Sequence, residues 1–262
     1  MIEVREVEVE YPGGVRALAP ASLKFEPGAF TVLLGASGAG KSTLLRCLNG
    51  LVRPTAGAVL GPDGSDLLAP RALRAHRRAT GMIFQQHQLI GRLSVLDNVL
   101  TGRLGFHGAL RTLLPYSLVE RRLALAAIER VGLIDMALRR ADRLSGGQQQ
   151  RVGIARALVQ SPRLILADEP VASLDPKSAE RVLELLHRIC KHDGLSAIVS
   201  LHQLDFARRF ADRIVALAGG KVVFDGPPAA LGAREVERIY GGGALRAPGA
   251  ALDTPSELEN VA

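Results

Sequence analysis

The first 27 residues alternate between apolar and charged positions in short runs. Val7 and Val9 alternate with Glu8 and Glu10, and this two-residue period is typical of a strand with one buried face. The following Pro12-Gly13-Gly14 supplies residue types that favour a tight turn. The pattern predicts short strands in this segment, joined by a turn.

Farther along the chain, continuous apolar runs alternate with segments of helical spacing. The runs that have the length of buried strands are 30–34, 164–167, 197–200 and 214–217. Helical spacing at about 179–190 and 204–210 separates the last three runs. Strand and helix signals in alternation are typical of an α/β core with a mainly parallel sheet.

A stretch of helical period interrupts this alternation between about residues 90 and 160. Ser94 with Asp97, and Ser117 with Glu120, have the spacing of capping boxes at helix starts. One face of the second helix would carry Leu118, Leu125, Ile128 and Val131. We therefore predict a helical subdomain that is inserted into the α/β core.

The composition changes again at the end of the chain. Residues 241–262 are rich in Gly, Ala and Pro, and such a composition disfavours a packed core. No internal repeat is present in the sequence. We expect one domain over residues 1–240, followed by a flexible C-terminal tail at 241–262.

A glycine-rich loop lies between the apolar run at 30–34 and a helix-like run at 43–48. Residues 35–42 read G-A-S-G-A-G-K-S, a complete G-x-x-x-x-G-K-[ST] phosphate-binding loop. Its glycines let backbone N–H groups surround phosphate oxygens, and the following helix directs its positive dipole end at the same anion. Lys41 would reach the β- and γ-phosphates, and Ser42 would bind Mg²⁺. The nucleotide-binding residues predicted here are Gly35, Ala36, Ser37, Gly38, Ala39, Gly40, Lys41, Ser42 and Thr43.

Polar motifs stand in a fixed order around this loop. They are Gln85, the L-S-G-G-Q-Q-Q-R segment at 144–151, Asp168 and Glu169 after an apolar run, S-L-D-P at 173–176, and S-L-H-Q at 200–203. Together with the phosphate loop they resemble the nucleotide-binding subunit of ABC transporters, over roughly residues 2–240. The resemblance implies a P-loop NTPase core with a mainly parallel sheet, an N-terminal antiparallel β subdomain and an inserted helical subdomain.

The matching positions imply roles in ATP hydrolysis. Asp168 would hold Mg²⁺ through its water shell, and Glu169 would be the general base that activates the attacking water. His202 resembles the switch histidine that contacts the γ-phosphate. Gln85 resembles the glutamine that senses Mg²⁺ and nucleotide and couples them to the helical insertion, whereas we interpret Gln86 as its neighbour.

Tyr11 ends the first predicted strand. It matches the aromatic residue that stacks on adenine in the family that the chain resembles. The alternative is a strand aromatic in a small core, since Tyr side chains are commonly half-buried.

A second helix begins with Ser145, Gly146 and Gly147 and continues through Gln148, so its N-terminus is another ready-made anion site. The resemblance implies the use of this site. Two subunits pack head-to-tail, and each L-S-G-G-Q segment closes on the γ-phosphate of the ATP held by the other subunit. This arrangement is a homodimer with two interfacial ATP sites, bridged by Asp175.

The positive charge of the chain is concentrated in one region. The formal net charge is +7, whereas residues 71–143 contain 13 Arg against 5 Asp and Glu, so the rest is nearly neutral. Three interpretations are a nucleic-acid surface, a face near anionic lipid headgroups, and an Arg-rich solvated surface. Aromatic residues are only 4% of the chain, and no nucleic-acid-binding motif accompanies the charge. We favour the solvated surface, then the lipid-facing one, and expect no nucleic-acid partner.

The sequence contains no apolar stretch near the ~20 residues that span a bilayer. The charged, strand-like start of the chain is unlike a signal peptide, and Cys47 and Cys190 form no C-x-x-C pair. We expect a soluble chain in a reducing compartment, held peripherally at the cytoplasmic face of the inner membrane. The resemblance implies its partners: a transmembrane permease pair and a periplasmic substrate-binding protein.

The transported cargo can be inferred only by resemblance, because the ATPase does not touch it. Segments 81–105, 169–176, 201–203 and 223–228 resemble the phosphonate-import branch of the family, although the tail after Tyr240 departs from its compact ending. Phosphite and phosphate esters stay open as cargo. Single-module ABC ATPases of other importers, of lipoprotein release or of cell division are the alternative. Repair and translation ABC ATPases fit less well, since they usually carry two modules or a long coiled-coil insertion.

Overall fold

The computed structural model describes residues 2–85, 88–108 and 114–241, so Gln86 and the predicted tail from residue 242 onward lie outside the described residues. The strands are β1 (Ile2–Tyr11), β2 (Val15–Phe25), β3 (Phe30–Leu34), β4 (Ala56–Leu60), β5 (Thr80–Ile83), β6 (Leu164–Ala167), β7 (Ser196–Leu201), β8 (Arg213–Ala218) and β9 (Lys221–Gly226). The helices are α1 (Lys41–Leu48), α2 (Pro70–Arg78), α3 (Val95–Leu100), α4 (Leu118–Arg130), α5 (Gly146–Leu158), α6 (Pro176–Asp193), α7 (Leu204–Phe210) and α8 (Ala233–Tyr240).

A small antiparallel sheet has the strand order β2-β1-β4. Its first two strands confirm the strands predicted in the first 27 residues, and the Gly14 N–H donates to the Tyr11 carbonyl in the turn between them. The third strand, β4, comes from a later part of the chain, for which the sequence pattern predicts no strand. The antiparallel subdomain is therefore completed by residues from beyond the phosphate loop.

The larger sheet has the order β5-β6-β7-β3-β8-β9 and is parallel except for β9 at its edge. Every residue of β3 and β6 is buried, which explains why these strands read as continuous apolar runs. Because parallel strands all point the same way, the loops after β3, β6 and β7 emerge at one edge of the sheet. This edge carries the predicted site.

The helical insertion begins at the predicted caps. The Ser94 hydroxyl accepts a hydrogen bond from the Asp97 N–H, and Ser117 forms a complete capping box with Glu120. The predicted buried face of α4 is only partly right, because Leu118 in the first turn is 74% exposed. Ile128 and Val131 are buried as predicted, and Glu120, Ala124 and Ala127 are buried as well.

Both cysteines are buried and free. Burial raises the pKa of the Cys47 and Cys190 thiols to about 12, so both are protonated and unreactive at neutral pH. In the described ranges, no helix combines the length and the apolar character that crossing a bilayer requires.

His76 connects α2 to the end of the helix that follows the phosphate loop. Its Nε2 lies 2.7 Å from the carbonyl oxygen of Leu48, the last residue of α1, and the side chain is buried. Burial lowers the pKa of His76 below its ordinary value, because the charged imidazolium loses solvation. Below about pH 6.5 the unfolded chain binds more protons than the folded chain, so stability falls as the pH falls.

We expect His76→Gln to reduce this dependence, because glutamine keeps an N–H donor for Leu48 and does not titrate. The measurement is the free energy of unfolding in urea at pH 7.5 and pH 5.5. The wild-type protein should lose more stability than the variant on acidification. His187, whose pKa is also lowered by burial, contributes equally to both proteins. Equal losses of unfolding free energy in the two proteins would contradict the assignment of this pH dependence to His76.

Candidate nucleotide-binding and catalytic site

The phosphate loop connects the end of β3 to the start of α1, as the sequence predicts. Two of its glycines cannot be replaced without moving the backbone. Gly35 has φ +155°, and a Cβ there would lie 2.3 Å from the Leu217 carbonyl oxygen. Gly40 has φ +101°, and its Cβ would lie 2.8 Å from the Ala17 carbonyl oxygen. The loop is therefore packed between β8 and β2, with its N–H groups free of side-chain crowding.

Lys41 closes over this loop. Its Nζ donates hydrogen bonds of 2.9 Å to the carbonyls of both Gly35 and Ala36, and the side chain is only 3% exposed. The same ammonium lies 3.3 Å from Glu169 Oε1. A buried cation is thus fixed at the mouth of the loop, where a polyphosphate would need it.

Asp168 is the junction of three segments. The Ser42 hydroxyl donates to Asp168 Oδ1 at 2.6 Å, the Ser200 hydroxyl donates to the same oxygen at 3.1 Å, and Arg46 lies 3.5 Å from Oδ2. The two predicted Mg²⁺ residues, Ser42 and Asp168, are therefore in direct contact. Their oxygens are the hard donors that Mg²⁺ prefers, so this pair fits the ion.

Gln85, the third predicted metal residue, follows the strand next to β6. The Asp168 N–H donates to the carbonyl of Ile83 at 2.8 Å, and Gln85 lies two residues beyond Ile83 with an exposed side chain. It shares the site's edge of the sheet, and its binding of Mg²⁺ stays a prediction.

Glu169 has a strained backbone. Its φ is +43°, in the left-handed region that non-glycine residues rarely adopt. The Glu169 N–H donates to the Ser200 hydroxyl at 2.8 Å, and its carboxylate lies between Lys41 and His202, whose Nδ1 is 3.7 Å from Oε2. The His202 side chain is 43% exposed. This geometry brings together all three predicted catalytic residues.

Two polar contacts of this site were not predicted from the sequence. Ser200 holds both Asp168 and Glu169, and Arg46 flanks Asp168 from α1. A serine inside the otherwise apolar β7 run was the available signal for Ser200. No comparable signal marks Arg46, since an Arg on a helix surface is ordinary.

The alternative interpretation of Tyr11, an aromatic in a small core, is wrong because its side chain is 40% exposed. Tyr11 pairs with Val15 across the hairpin, two residues before Ala17, which packs against Gly40 of the phosphate loop. An exposed ring on the hairpin whose second strand packs against the phosphate loop is compatible with adenine stacking, which stays a prediction.

The L-S-G-G-Q segment forms the first turn of α5. Ser145 and Gln148 make a reciprocal capping box, with the Ser145 N–H donating to Gln148 Oε1 at 2.9 Å. A Cβ at Gly146 would lie 3.2 Å from Leu174, and Gly147 faces Ser178, so this turn packs on the start of α6.

Asp175 caps α6 by accepting from the Ser178 N–H at 3.0 Å, and hydrogen bonds from the Ser178 side chain and N–H lower the pKa of its carboxyl. In the described part of the chain, no hydrogen bond or ion pair joins residues 145–148 to the phosphate loop. Within one chain, the described polar contacts thus do not connect the two predicted anion sites.

The fold and these motifs define an ATP-binding cassette. The family model of the ABC transporter matches residues 18–172, more than half of the chain. The chain belongs to the ABC transporter family and is an ATP-binding protein of the transport-coupled ATPase class.

Curated relatives are similar over most of their length. The phosphite import ATP-binding protein PxtA of Stutzerimonas stutzeri is 59% identical over 260 residues, covering 99% of this chain and 94% of the relative. The phosphonates import ATP-binding protein PhnC 3 of Nostoc sp. is 57% identical over 241 residues, covering 92% of each. The first name refers to the import of phosphite, and the second to the import of phosphonates.

Solved structures agree with the fold. The dimeric ATP-binding cassette MJ0796, in a post-hydrolysis state bound to ADP and Pi, has a TM-score of 0.75 and 35% identity, covering 87% of this chain and 99% of that one. The cassette cbiO1 from Clostridium perfringens has a TM-score of 0.77 and 29% identity, covering 90% of this chain and 92% of that one. The α/β core with its two added subdomains is confirmed.

Ser200→Ala tests the role of the Ser200 hydroxyl, which bonds both Asp168 and the Glu169 backbone. Removal of the hydroxyl leaves the strained Glu169 N–H without its acceptor and Asp168 without one donor. We expect ATP turnover to fall on the order of 10-fold. The matched control is Ser196→Ala at the opposite end of β7, whose hydroxyl accepts from the Gly28 N–H at 3.0 Å. Equal effects of the two substitutions on turnover would refute a specific role for Ser200.

Proposed function

We propose that this chain is the ATP-hydrolysing subunit of a bacterial ABC importer that takes up phosphonates or related phosphorus compounds. The assignment of ATP hydrolysis is supported by four side chains that lie together at one edge of the sheet. They are Lys41, Asp168, Glu169 and His202. The names of the relatives with 57–59% identity support the cargo part.

ATP is held mainly by charge and by backbone donors. The N–H groups of residues 35–42 and the start of α1 face the phosphates, Lys41 neutralises the β- and γ-phosphates, and Tyr11 stacks on adenine. Ser42, Asp168 and Gln85 would hold Mg²⁺, and the ion would neutralise negative charge on the nucleotide. These contacts orient the γ-phosphate toward Glu169.

Hydrolysis requires a water molecule in line with the bond to the leaving ADP oxygen. The Glu169 carboxylate accepts a proton as the water oxygen attacks the γ-phosphorus, and the bond to ADP breaks. His202 lies next to this carboxylate and contacts the γ-phosphate, so base and phosphate keep their relative positions.

Glu169→Gln is the sharpest test of this assignment. The amide cannot accept the proton, so we expect turnover to fall ~10²–10⁴-fold while ATP binding is retained. The variant should accumulate as an ATP-bound dimer in size-exclusion chromatography. Glu184→Gln, on the exposed side of α6, is the matched control and should stay active.

The homodimer explains how two separated anion sites serve one nucleotide. Ser145, Gly146, Gly147 and Gln148 of one subunit close on the ATP held by Lys41 of the other, and Asp175 bridges the sites. Addition of Ser145→Arg to the Glu169→Gln chain should therefore abolish the ATP-dependent dimer, because it places a bulky side chain in the closed interface. If the chain that carries both substitutions still forms the ATP-dependent dimer, the head-to-tail arrangement is contradicted.

A surface groove supports the proposal of a permease partner. A cavity of about 580 Å³ lies between α2, the end of β5 and the start of the helical insertion. The Arg78 guanidinium lies 5.3 Å from the Phe106 ring centre and that of Arg103 lies 3.8 Å from it, which gives the groove both apolar and cationic contacts. A cytoplasmic segment of a transmembrane permease docks here and contacts core and insertion together.

The permease holds the subunit peripherally at the cytoplasmic face of the inner membrane. The arginine-rich region between residues 71 and 143 includes α2 and is compatible with a position near anionic lipid headgroups. A periplasmic binding protein delivers the cargo, and no nucleic acid is involved.

The cargo is tested in a transporter assembled from this chain and the permease and binding protein that the proposal requires. We expect methylphosphonate or phosphite to stimulate ATP hydrolysis in proteoliposomes, whereas glutamine and maltose should not. The relative potency of methylphosphonate, phosphite and a phosphate ester identifies the cargo within the class. Stimulation by an amino acid or sugar alone would refute phosphorus import and leave the ATPase assignment intact.

A further inference from the structure

Tyr240, the last residue of α8, contacts the backbone of the loop that carries the predicted switch histidine. Its hydroxyl donates to the carbonyl of His202 at 2.8 Å. The ring is partly buried against the main core, together with Val236 and the buried Ile239 of the same helix. Burial raises the pKa of Tyr240 to about 12, so the hydroxyl keeps its proton and remains a donor at physiological pH.

The loop that carries His202 has little local support. Gln203 is the N-cap residue of α7, but its side chain makes no capping hydrogen bond. Glutamine is absent from the residue types that cap well, and α7 has only 7 residues. The start of this helix therefore depends on contacts from other segments.

The C-terminal segment supplies two of these contacts, one at each end of the unit formed by His202 and α7, in addition to the bonds of Arg209 to Glu180 and Glu184 of α6. Tyr240 holds the carbonyl of His202, and Arg208 donates to the carbonyl of the buried Leu231 at 3.1 Å. Both contacts come from the short segment 231–240, which packs on the core. The histidine is thereby fixed from outside its own loop.

We propose that Tyr240 is a positioning residue for ATP hydrolysis, because its hydroxyl fixes the His202 backbone and so keeps the imidazole beside the Glu169 carboxylate. The inference rests on the proposed function, in which His202 contacts the γ-phosphate. The Tyr240 hydroxyl bonds the backbone carbonyl of His202 and not its imidazole. It acts through the His202 carbonyl, and it makes the C-terminal helix part of the hydrolysis machinery.

Tyr240→Phe removes the hydroxyl and keeps the ring in the core. We expect kcat for ATP to fall about 3- to 10-fold, the effect of one net hydrogen bond. The KM for ATP should stay within about twofold, because the phosphate loop and Tyr11 are untouched. Tyr116→Phe, another partly buried tyrosine, whose ring lies 6.2 Å from that of His107 in the helical insertion, is the matched control and should keep the wild-type kcat.

A second variant separates positioning from a general structural role. Gln203→Asp supplies a side-chain cap for α7 and so fixes the loop by another route. In the Tyr240→Phe background it should restore most of the lost kcat. The ¹⁵N signals of the His202 ring, assigned with a His202→Asn variant, should shift in Tyr240→Phe and return in the double variant.

Three outcomes decide the matter. A fall in kcat alone, with rescue by Gln203→Asp and a shifted His202 signal, supports the positioning role. An unchanged kcat with unmoved ring signals overturns it, as does a parallel loss of kcat and ATP affinity without rescue. Glu169→Gln, measured alongside, keeps the two proposals distinct: if it hydrolyses ATP at the wild-type rate, the proposed function fails whatever Tyr240→Phe does.

Discussion

The hydrogen bonds that converge on Asp168 hold the site together. Ser42 comes from the helix after the phosphate loop, Ser200 from β7, and Asp168 itself ends β6. A nearly fully buried carboxylate requires such donors, because an unpaired charge in the interior is very costly. The requirement fixes the phosphate loop relative to two strands of the sheet, and every distance in the site depends on it.

The same junction holds the strained residue beside it. Ser200 accepts from the Glu169 N–H while it donates to Asp168 Oδ1, so one hydroxyl holds the Asp168 carboxylate and the backbone of Glu169. Left-handed backbone at a glutamate persists only where its surroundings fix it. This conformation turns the Glu169 carboxylate away from the Asp168 cluster and toward Lys41 and His202, so neighbouring acids can serve different purposes.

The parts of the site differ in the contacts that hold them in place. The phosphate loop and Asp168 rest on buried central strands, whereas the partly exposed His202 has a backbone carbonyl that accepts from the Tyr240 hydroxyl. The L-S-G-G-Q turn is anchored separately, by its own capping box and by the start of α6. The phosphate loop is therefore supported by the buried sheet, whereas the His202 loop and the L-S-G-G-Q turn are each supported by contacts of their own.

Local features were determined by the sequence itself. The phosphate loop, the caps at Ser94 and Ser117, the helix start at Ser145 and the four continuous apolar strands were predicted, because each depends on neighbours within a few residues. The edge of the sheet at which the motifs meet followed from parallel strand order. The chemistry of the site was thus largely predictable from its motifs.

Contacts between distant segments were decided only by the tertiary structure. The sequence did not indicate that β4 would complete the antiparallel sheet, that Leu118 would be exposed, or that Tyr240 would bond to the His202 carbonyl. Each of these depends on which surfaces the packed elements present to each other. Periodicity and caps are properties of a short segment, whereas burial and long-range hydrogen bonds exist only once the whole core has assembled.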